Sequence, residues 1–585
     1  TINEDGLMKF FERTDYQVKY NGFRINLGEI ESRISACINN PNVVVLLNKS
    51  EDGSKLCAYI ESKENINFSE VKQELKKFLP HYMLPKHFHC IDKFPLTPNG
   101  KIDRNALSKL KFKDTDTVIV APRNKLDSTI LDAWKYVLKQ ENISIDDNIF
   151  ELGGDSLSII SIQSYLFKHK IQINSQALFE NQTIRNISDY ISKHTSQMNN
   201  ELEKIYSPIR FSLEDINNKS EMPKHILLTG STGFLGSHIL SELLNKYRDI
   251  NVYCLIRSKP GKNYKERLLD ILHNYFGEKY DLLVDTRIIP VEGDLVRKHL
   301  GIDITLYKEL TSKIDCIINA ASLVKHFGDY NSFYQSNVLS AKNIISFAKD
   351  TNAVIHHIST TSVSGNYLVK NDLVYDYTEN DFYIGQNYKD NVYVRTKFEA
   401  ENEMFKAQSE GVQVNVYRIG NLMQRMEDGV FQINKFDNAY FKRIYGFIKI
   451  GKLPKNLITQ RLEFTPVDSC ASAIVTLMQY RNKVFHLLNP NTIGISELTN
   501  GLSNFGMNID FISPKEFNKY IRNEISNENL ESFITDLNNT NQLNYDTRIT
   551  INDSLTEEFL HKNDFSWPKI NSEYINKFIE LEINS

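Results

Sequence analysis

Along the second half of this chain, short apolar runs alternate with stretches of helical period. Ile226-Leu227-Leu228, Val252-Tyr253-Cys254-Leu255-Ile256, Ile288-Ile289-Pro290-Val291, Cys316-Ile317-Ile318 and Val354-Ile355-His356-His357-Ile358 are each too short for a helix. Continuous apolar runs suit strands buried on both faces, and strand–helix alternation predicts a doubly wound parallel α/β sheet, a Rossmann-type domain. Beyond about residue 440 the alternation blurs, and a smaller, mostly helical lobe is expected. Upstream, Leu126, Ile130, Leu131, Trp134 and Leu138 share one helical face. That period continues with short breaks over 123–197 and predicts a small helical bundle. The first 112 residues hold the runs Val43–Leu47 and Leu56–Ile60, with an amphipathic stretch from Phe68 to Leu79 before Pro80. They read as a helix on a small sheet, a compact α+β subdomain. Polar segments 111–122 and 197–222 read as linkers. The expected domains are therefore 1–112, 123–197 and 223–585, the last with a Rossmann core over 223–440 and a lobe over 440–585.

Charge and composition narrow the function by exclusion. Lys and Arg number 69 against 73 Asp and Glu, so no basic field points to nucleic acid. No apolar run approaches a membrane span, so no membrane role is expected. The six cysteines are scattered without metal-ligand spacing, which predicts no metal site and a reduced, cytoplasmic protein. The opening Thr1-Ile2-Asn3-Glu4-Asp5 is no signal peptide and starts mid-pattern, so the chain is expected to be a fragment of something larger.

Two motifs bring chemistry into the α/β region. Thr229-Gly230-Ser231-Thr232-Gly233-Phe234-Leu235-Gly236 follows the first predicted strand and opens a helix, the context in which a glycine loop seats a dinucleotide pyrophosphate. Glycines three apart match the short-chain dehydrogenase variant of that loop. Arg257 stands 21 residues after Gly236, where an NAD enzyme places an acid, and Arg267 follows in the next helix. Guanidinium groups there favour a 2'-phosphate and hence NADPH. Farther on, Tyr393 and Lys397 lie four apart on one helical face, and the ammonium is expected to draw the phenol pKa towards neutrality. Ile358-Ser359-Thr360-Thr361-Ser362-Val363 ends a strand rich in hydroxyls that could share a carbonyl oxygen with Tyr393.

These runs resemble extended short-chain dehydrogenases, and within them the thioester reductases that terminate some nonribosomal peptide synthetases. The resemblance implies that Gly293-Asp294-Leu295 flanks the adenine, that Asn319-Ala320-Ala321 lines the cofactor and that Asn337 supports the site. By spacing to Gly365 it selects Thr360 as the partner of Tyr393, with Thr361 as fallback. In the bundle, Leu152-Gly153-Gly154-Asp155-Ser156-Leu157 read alone is a loop in which Asp155 or Ser156 caps a helix. It closely resembles the attachment motif of peptidyl carrier proteins, which implies that Ser156 carries 4'-phosphopantetheine added by a separate phosphopantetheinyl transferase.

Arg13–Lys19, Gly22–Glu31 and Leu96-Thr97-Pro98-Asn99-Gly100-Lys101-Ile102-Asp103 resemble the last motifs of adenylation domains. They imply a C-terminal adenylation subdomain with Asp15 at its hinge, Glu12 replacing a customary glycine, and Lys101 as the adenylation lysine. No adenylation is expected without the larger subdomain. The function implied is NADPH-dependent release of a carrier-bound peptidyl thioester as an aldehyde, with upstream adenylation and condensation domains as partners. Alternatives are four-electron reduction to an alcohol, redox-silent cyclising release, and a non-catalytic carrier and docking segment. Within the family the chain is similar to synthetases of dipeptide aldehydes that cyclise to pyrazinones, the aureusimine type.

Overall fold

The computed structural model describes residues 17–110 with breaks at 21–22, 39, 41, 51–52, 63–65, 67, 76–77, 80–82, 86, 98–101 and 109. It describes 120–194 apart from 155, 170, 172 and 174, then 204–324, 329–369, 373–389, 391–523 and 548–583. Asp15 and Lys101 lie outside the described residues. Two compact units result, Thr1–Ile173 with Asn181–Ser196, and Asn174–Glu180 with Gln197–Ser585.

In the first unit, β1 (Gln17–Tyr20) and β2 (Phe23–Asn26) form a hairpin that leads into α1 (Leu27–Ile38). Strands β3 (Val43–Ser50) and β4 (Gly53–Glu61) pair antiparallel. After α2 (Phe68–Leu75), β5 (His87–Ile91) joins β4 in parallel. Strand alternation explains how both faces are covered. Val43, Val45, Leu56, Ala58 and Ile60 pack with Ile30 and Ile34 of α1 and Val71 and Leu75 of α2. Val44, Cys57 and Tyr59 point the other way, towards Phe94 and Leu107, the latter in α3 (Arg104–Ser108).

The predicted bundle follows as α4 (Lys125–Leu138), α5 (Ser156–Lys168) and α7 (Ile184–His194), with the short α6 (Ser175–Glu180) between the last two in the chain and counted with the second unit. Ile130, Ala133, Trp134, Ile159, Ile162, Ile184 and Ile187 are buried, the apolar face that the period predicts. Ser156 is the first residue of α5. Ahead of it, Gly154 N–H donates to the Ile149 carbonyl at 2.9 Å, closing the turn that delivers the chain to the helix.

The second unit is built on seven parallel strands. In chain order they are β6 (His225–Thr229), β7 (Asn251–Ile256), β8 (Ile288–Glu292), β9 (Cys316–Asn319), β10 (Val354–Thr360), β11 (Val414–Ile419) and β12 (Val484–Leu487). Their spatial order is β12-β11-β10-β9-β6-β7-β8, so the winding reverses between β6 and β9 and opens a crevice at the strand ends there. Helices α8 (Phe234–Lys246), α9 (Tyr264–Phe276), α10 (Ile304–Lys313), α11 (Ser340–Thr351), α12 (Val392–Ser409), α13 (Ala439–Ile450) and α14 (Val467–Leu477) complete the framework used below.

Two boundaries differ from the sequence expectation. The Rossmann core does not stop near 440: edge strand β12 and helix α14, which packs on α8, return to it from beyond that point. The chain visits the lobe and comes back, so a single cut cannot separate them. The lobe has its own core, in which Phe431, Phe441, Ile444 and Phe464 meet Leu498, Tyr574, Ile575 and Phe578.

Residues 204–222, expected as linker, lie along the Rossmann core instead. Asn402 binds both the Tyr206 N–H and the Lys204 carbonyl, Gln408 accepts from Ile209 N–H, and Asn380 pairs with both main-chain groups of Phe211. Amide side chains that satisfy a strap's backbone leave no apolar periodicity to read. The Phe211 ring is buried edge-on to Phe485 and Phe559. Phe211→Ala should therefore lower stability by about 3 kcal/mol, seen as a drop in melting temperature with the far-UV spectrum retained.

Candidate active site

The dinucleotide loop sits at the reversal point of the sheet. Gly230 has φ +74°, and a Cβ there would lie 2.7 Å from Ala320 C and Ala321 N. A Cβ at Gly236 would collide with the Gly230 carbonyl. Both positions thus demand glycine, and the cradle they leave is lined by main chain. Gly233 caps α8 without a side-chain bond, so the N–H groups of the first turn face outwards as a phosphate site requires. Thr232 is half-buried in the loop, Leu235 is buried, and the Phe234 ring packs against Tyr275 and Phe431. Phe234 and Leu235 therefore present their main chain to this cradle.

Thr229 fixes the neighbouring strand. Its hydroxyl donates to Asn319 Oδ1 at 2.9 Å and accepts from Ala321 N–H at 3.2 Å. Asn319 continues to His357 Nδ1 at 3.1 Å, and burial holds that imidazole well below its usual pKa, hence neutral. After β9, Asn337 accepts from Ser322 Oγ and Leu323 N–H and donates to Thr396 Oγ1 at 3.0 Å. It joins the cofactor-side loop to helix α12. Asp294, at the end of β8, donates its N–H to Leu300 O at 2.7 Å, and Leu295 O accepts from Asn343 at 2.7 Å.

At the end of β7 the structure gathers Arg257, Lys259 and Arg267. Arg267 donates to the Arg257 carbonyl. Partial burial, and then the neighbouring cations, lower the pKa of both Arg267 and Lys259. Among the described residues, no carboxylate forms an ion pair with these three, whereas nearby Lys262 and Lys265 pair with Asp270 and Asp285. Uncompensated like charges of this kind are relieved by a bound anion. Lys259 was not anticipated, although its place two residues after Arg257 was visible.

Helix α12 brings Tyr393 and Lys397 to the end of β10. Thr360, whose hydroxyl donates to Ser362 Oγ at 3.2 Å, lies beside the Tyr393 phenol, and Lys397 Nζ donates to Ile358 O at 2.7 Å. Thr361 turns instead to the Ile419 carbonyl at 3.4 Å, so Thr360 is the one beside Tyr393. Burial pushes the Tyr393 phenol up to about 12, with neighbouring Thr360 acting against it. This corrects the expectation of a lowered phenol: Lys397 points its proton at the strand, and burial dominates. Tyr393 is thus a protonated donor at neutral pH. Burial also brings Lys397 down to about 8, with Glu401 opposing.

Three family models match the chain. Residues 228–474 match the family described as male sterility protein, 128–191 match the phosphopantetheine attachment site, and 29–101 match the AMP-binding enzyme C-terminal domain. This is the domain set of a nonribosomal peptide synthetase with a reductase domain. A component of the linear gramicidin synthase of Brevibacillus parabrevis is 30% identical over 553 residues, 90% of this chain. The chain spans 11% of that relative's length. A thiolation-reductase di-domain from an archaeal nonribosomal peptide synthetase superposes with a TM-score of 0.66 at 29% identity, covering 79% of this chain and 98% of the other. The reductase domain of the aureusimine biosynthetic cluster, at 23% identity and a TM-score of 0.52 over 63% of this chain and 92% of its own, shares the fold.

The reductase domain takes a nicotinamide dinucleotide and the carrier domain a 4'-phosphopantetheine arm. Among the described residues no cluster of His, Cys, Asp or Glu could hold a metal, and no helix is long and apolar enough to cross a membrane.

Proposed function

We propose that this chain carries out NADPH-dependent reductive release of a peptidyl thioester carried on Ser156, yielding an aldehyde. The observation that carries the reading is the convergence of Thr360, Tyr393 and Lys397 beside a main-chain dinucleotide cradle, in a polypeptide that also holds a carrier domain. Upstream adenylation and condensation domains would supply the peptide, and a phosphopantetheinyl transferase would load the serine. The uncompensated cluster of Arg257, Lys259 and Arg267 supports NADPH over NADH.

The bound nicotinamide supplies the hydride to the thioester carbonyl carbon. Tyr393 and Thr360 place two hydroxyls on the carbonyl oxygen, where their hydrogen bonds strengthen as negative charge develops. The Tyr393 O–H then hands over its proton, giving a thiohemiacetal. Lys397, held by Ile358 O, keeps a positive charge about one helical turn from the phenol as it loses that proton. Collapse of the thiohemiacetal breaks the carbon–sulfur bond, regenerates the carrier thiol and frees the aldehyde.

The test is NADPH oxidation by the whole chain, loaded on Ser156 with an acyl-phosphopantetheine, beside a soluble thioester. Consumption that depends on the thioester, at one NADPH per aldehyde, is expected. Two NADPH per thioester would replace the aldehyde by an alcohol. Thioester loss without oxidation would make the domain a redox-silent cyclase.

A further inference from the structure

Three consecutive residues at the end of β10 face three residues of α12 that are spaced by four. Ile358 O accepts from Lys397, Thr360 lies beside Tyr393, and between them Ser359 Oγ donates to Glu401 at 2.5 Å. Glu401 is fully buried. Its carboxylate also receives Arg418 through Nε at 3.1 Å and Nη2 at 2.9 Å. The sheet register explains the convergence, because Ser359 pairs with Arg418 across β10 and β11, and Arg418 with His486 across β11 and β12. One row of the sheet is thus aimed at one helical carboxylate.

We propose that Glu401 is a positioning residue for the reduction: clamped between Ser359 and Arg418, it fixes the end of β10 against α12 so that Thr360, Tyr393 and Lys397 converge, and it supplies the negative charge that balances Lys397. The inference rests on the roles proposed above for those three residues.

The other groups facing this pair leave Glu401 as the acid available to Lys397. From β10, His357 faces Lys397 but is held neutral by burial. From β12, His486 accepts from Arg418 at 3.1 Å and contacts the Asn552 carbonyl through Nδ1 at 2.6 Å, with burial and Arg418 lowering it to about 3. Asp381 offers Arg418 its main-chain carbonyl at 2.9 Å, and the Tyr377 ring lies 5.0 Å from the guanidinium. Four of the five Arg418 N–H groups are thus engaged, and among the described residues Glu401 is the acid that acts on Lys397. Burial lowers Lys397 and Glu401 raises it, so removing the carboxylate must lower it further.

The experiment measures kcat against pH for the whole chain, with a soluble thioester and saturating NADPH. Wild type should lose turnover as pH rises through about 8, where Lys397 loses its proton. Glu401→Gln should turn over about tenfold more slowly, with KM little changed and the alkaline midpoint about one pH unit lower. The lone Arg418 left in that variant threatens folding. The doubly neutral Glu401→Gln with Arg418→Met therefore runs beside it and should show the same shift. Ser359→Ala, which keeps the ion pair, should lower kcat without moving the midpoint.

A folded Glu401→Gln or double variant with the wild-type midpoint overturns the charge role. Wild-type kcat in Ser359→Ala overturns the positioning role. A wild type that does not consume NADPH would instead refute the proposed reaction, a separate result.

Discussion

Tyr393→Phe is expected to reduce turnover of a thioester by about 10²–10⁴-fold while leaving NADPH binding close to wild type. The phenol lies beside Thr360, and burial raises its pKa, so it is protonated at neutral pH. In the proposed reaction it is the group that donates as the carbonyl oxygen gains charge, and phenylalanine removes only that donor. Cofactor titration by fluorescence and steady-state turnover on the same preparation separate the two effects. Thr360→Val should cost less, because one of the two hydroxyls remains. Thr361→Val should cost little, since its hydroxyl bonds the Ile419 carbonyl. Equal losses at the two threonines would contradict the assignment of Thr360.

The second large effect concerns cofactor choice. Arg257→Ala combined with Arg267→Ala should raise KM for NADPH by about a hundredfold, from two charge-assisted contacts at about 1.5 kcal/mol each. KM for NADH should barely move, because that dinucleotide has no 2'-phosphate to lose a partner. Lys259→Ala alone should give a smaller change in the same direction. Steady-state kinetics with both dinucleotides, at matched ionic strength, reads the ratio directly. A parallel rise for NADH would mean that the cluster supports the loop rather than the phosphate.

The architecture was largely legible because its signals are local. Runs such as Val252–Ile256 and Cys316–Ile318 are strands because a sheet covered on both faces leaves no polar side to alternate. The glycine loop was legible for a steric reason that the structure makes explicit, the contact of Gly230 with Ala320 and Ala321. Tyr393 and Lys397 could be placed on one helical face by spacing alone. What escaped depends on contacts across the sheet. Glu401 continues the four-residue spacing, yet only the register of Ser359 with Arg418 shows what it meets. The strap over 204–222 has no period because its order comes from Asn380, Asn402 and Gln408, nearly two hundred residues away in sequence for two of them. The phenol departs from the sequence expectation for a similar reason. Spacing shows that an ammonium is near, while its direction and the desolvation of both groups are tertiary facts.

Hydride transfer to the carrier-bound carbonyl is the claim on which the rest depends. The most direct measurement uses NADPH deuterated at the nicotinamide carbon that donates hydride, a loaded carrier on Ser156, and mass spectrometry of what is released. The expected products are an aldehyde with one deuterium on the former carboxyl carbon and a regenerated carrier thiol. A released product without deuterium, acid or cyclised, would contradict it.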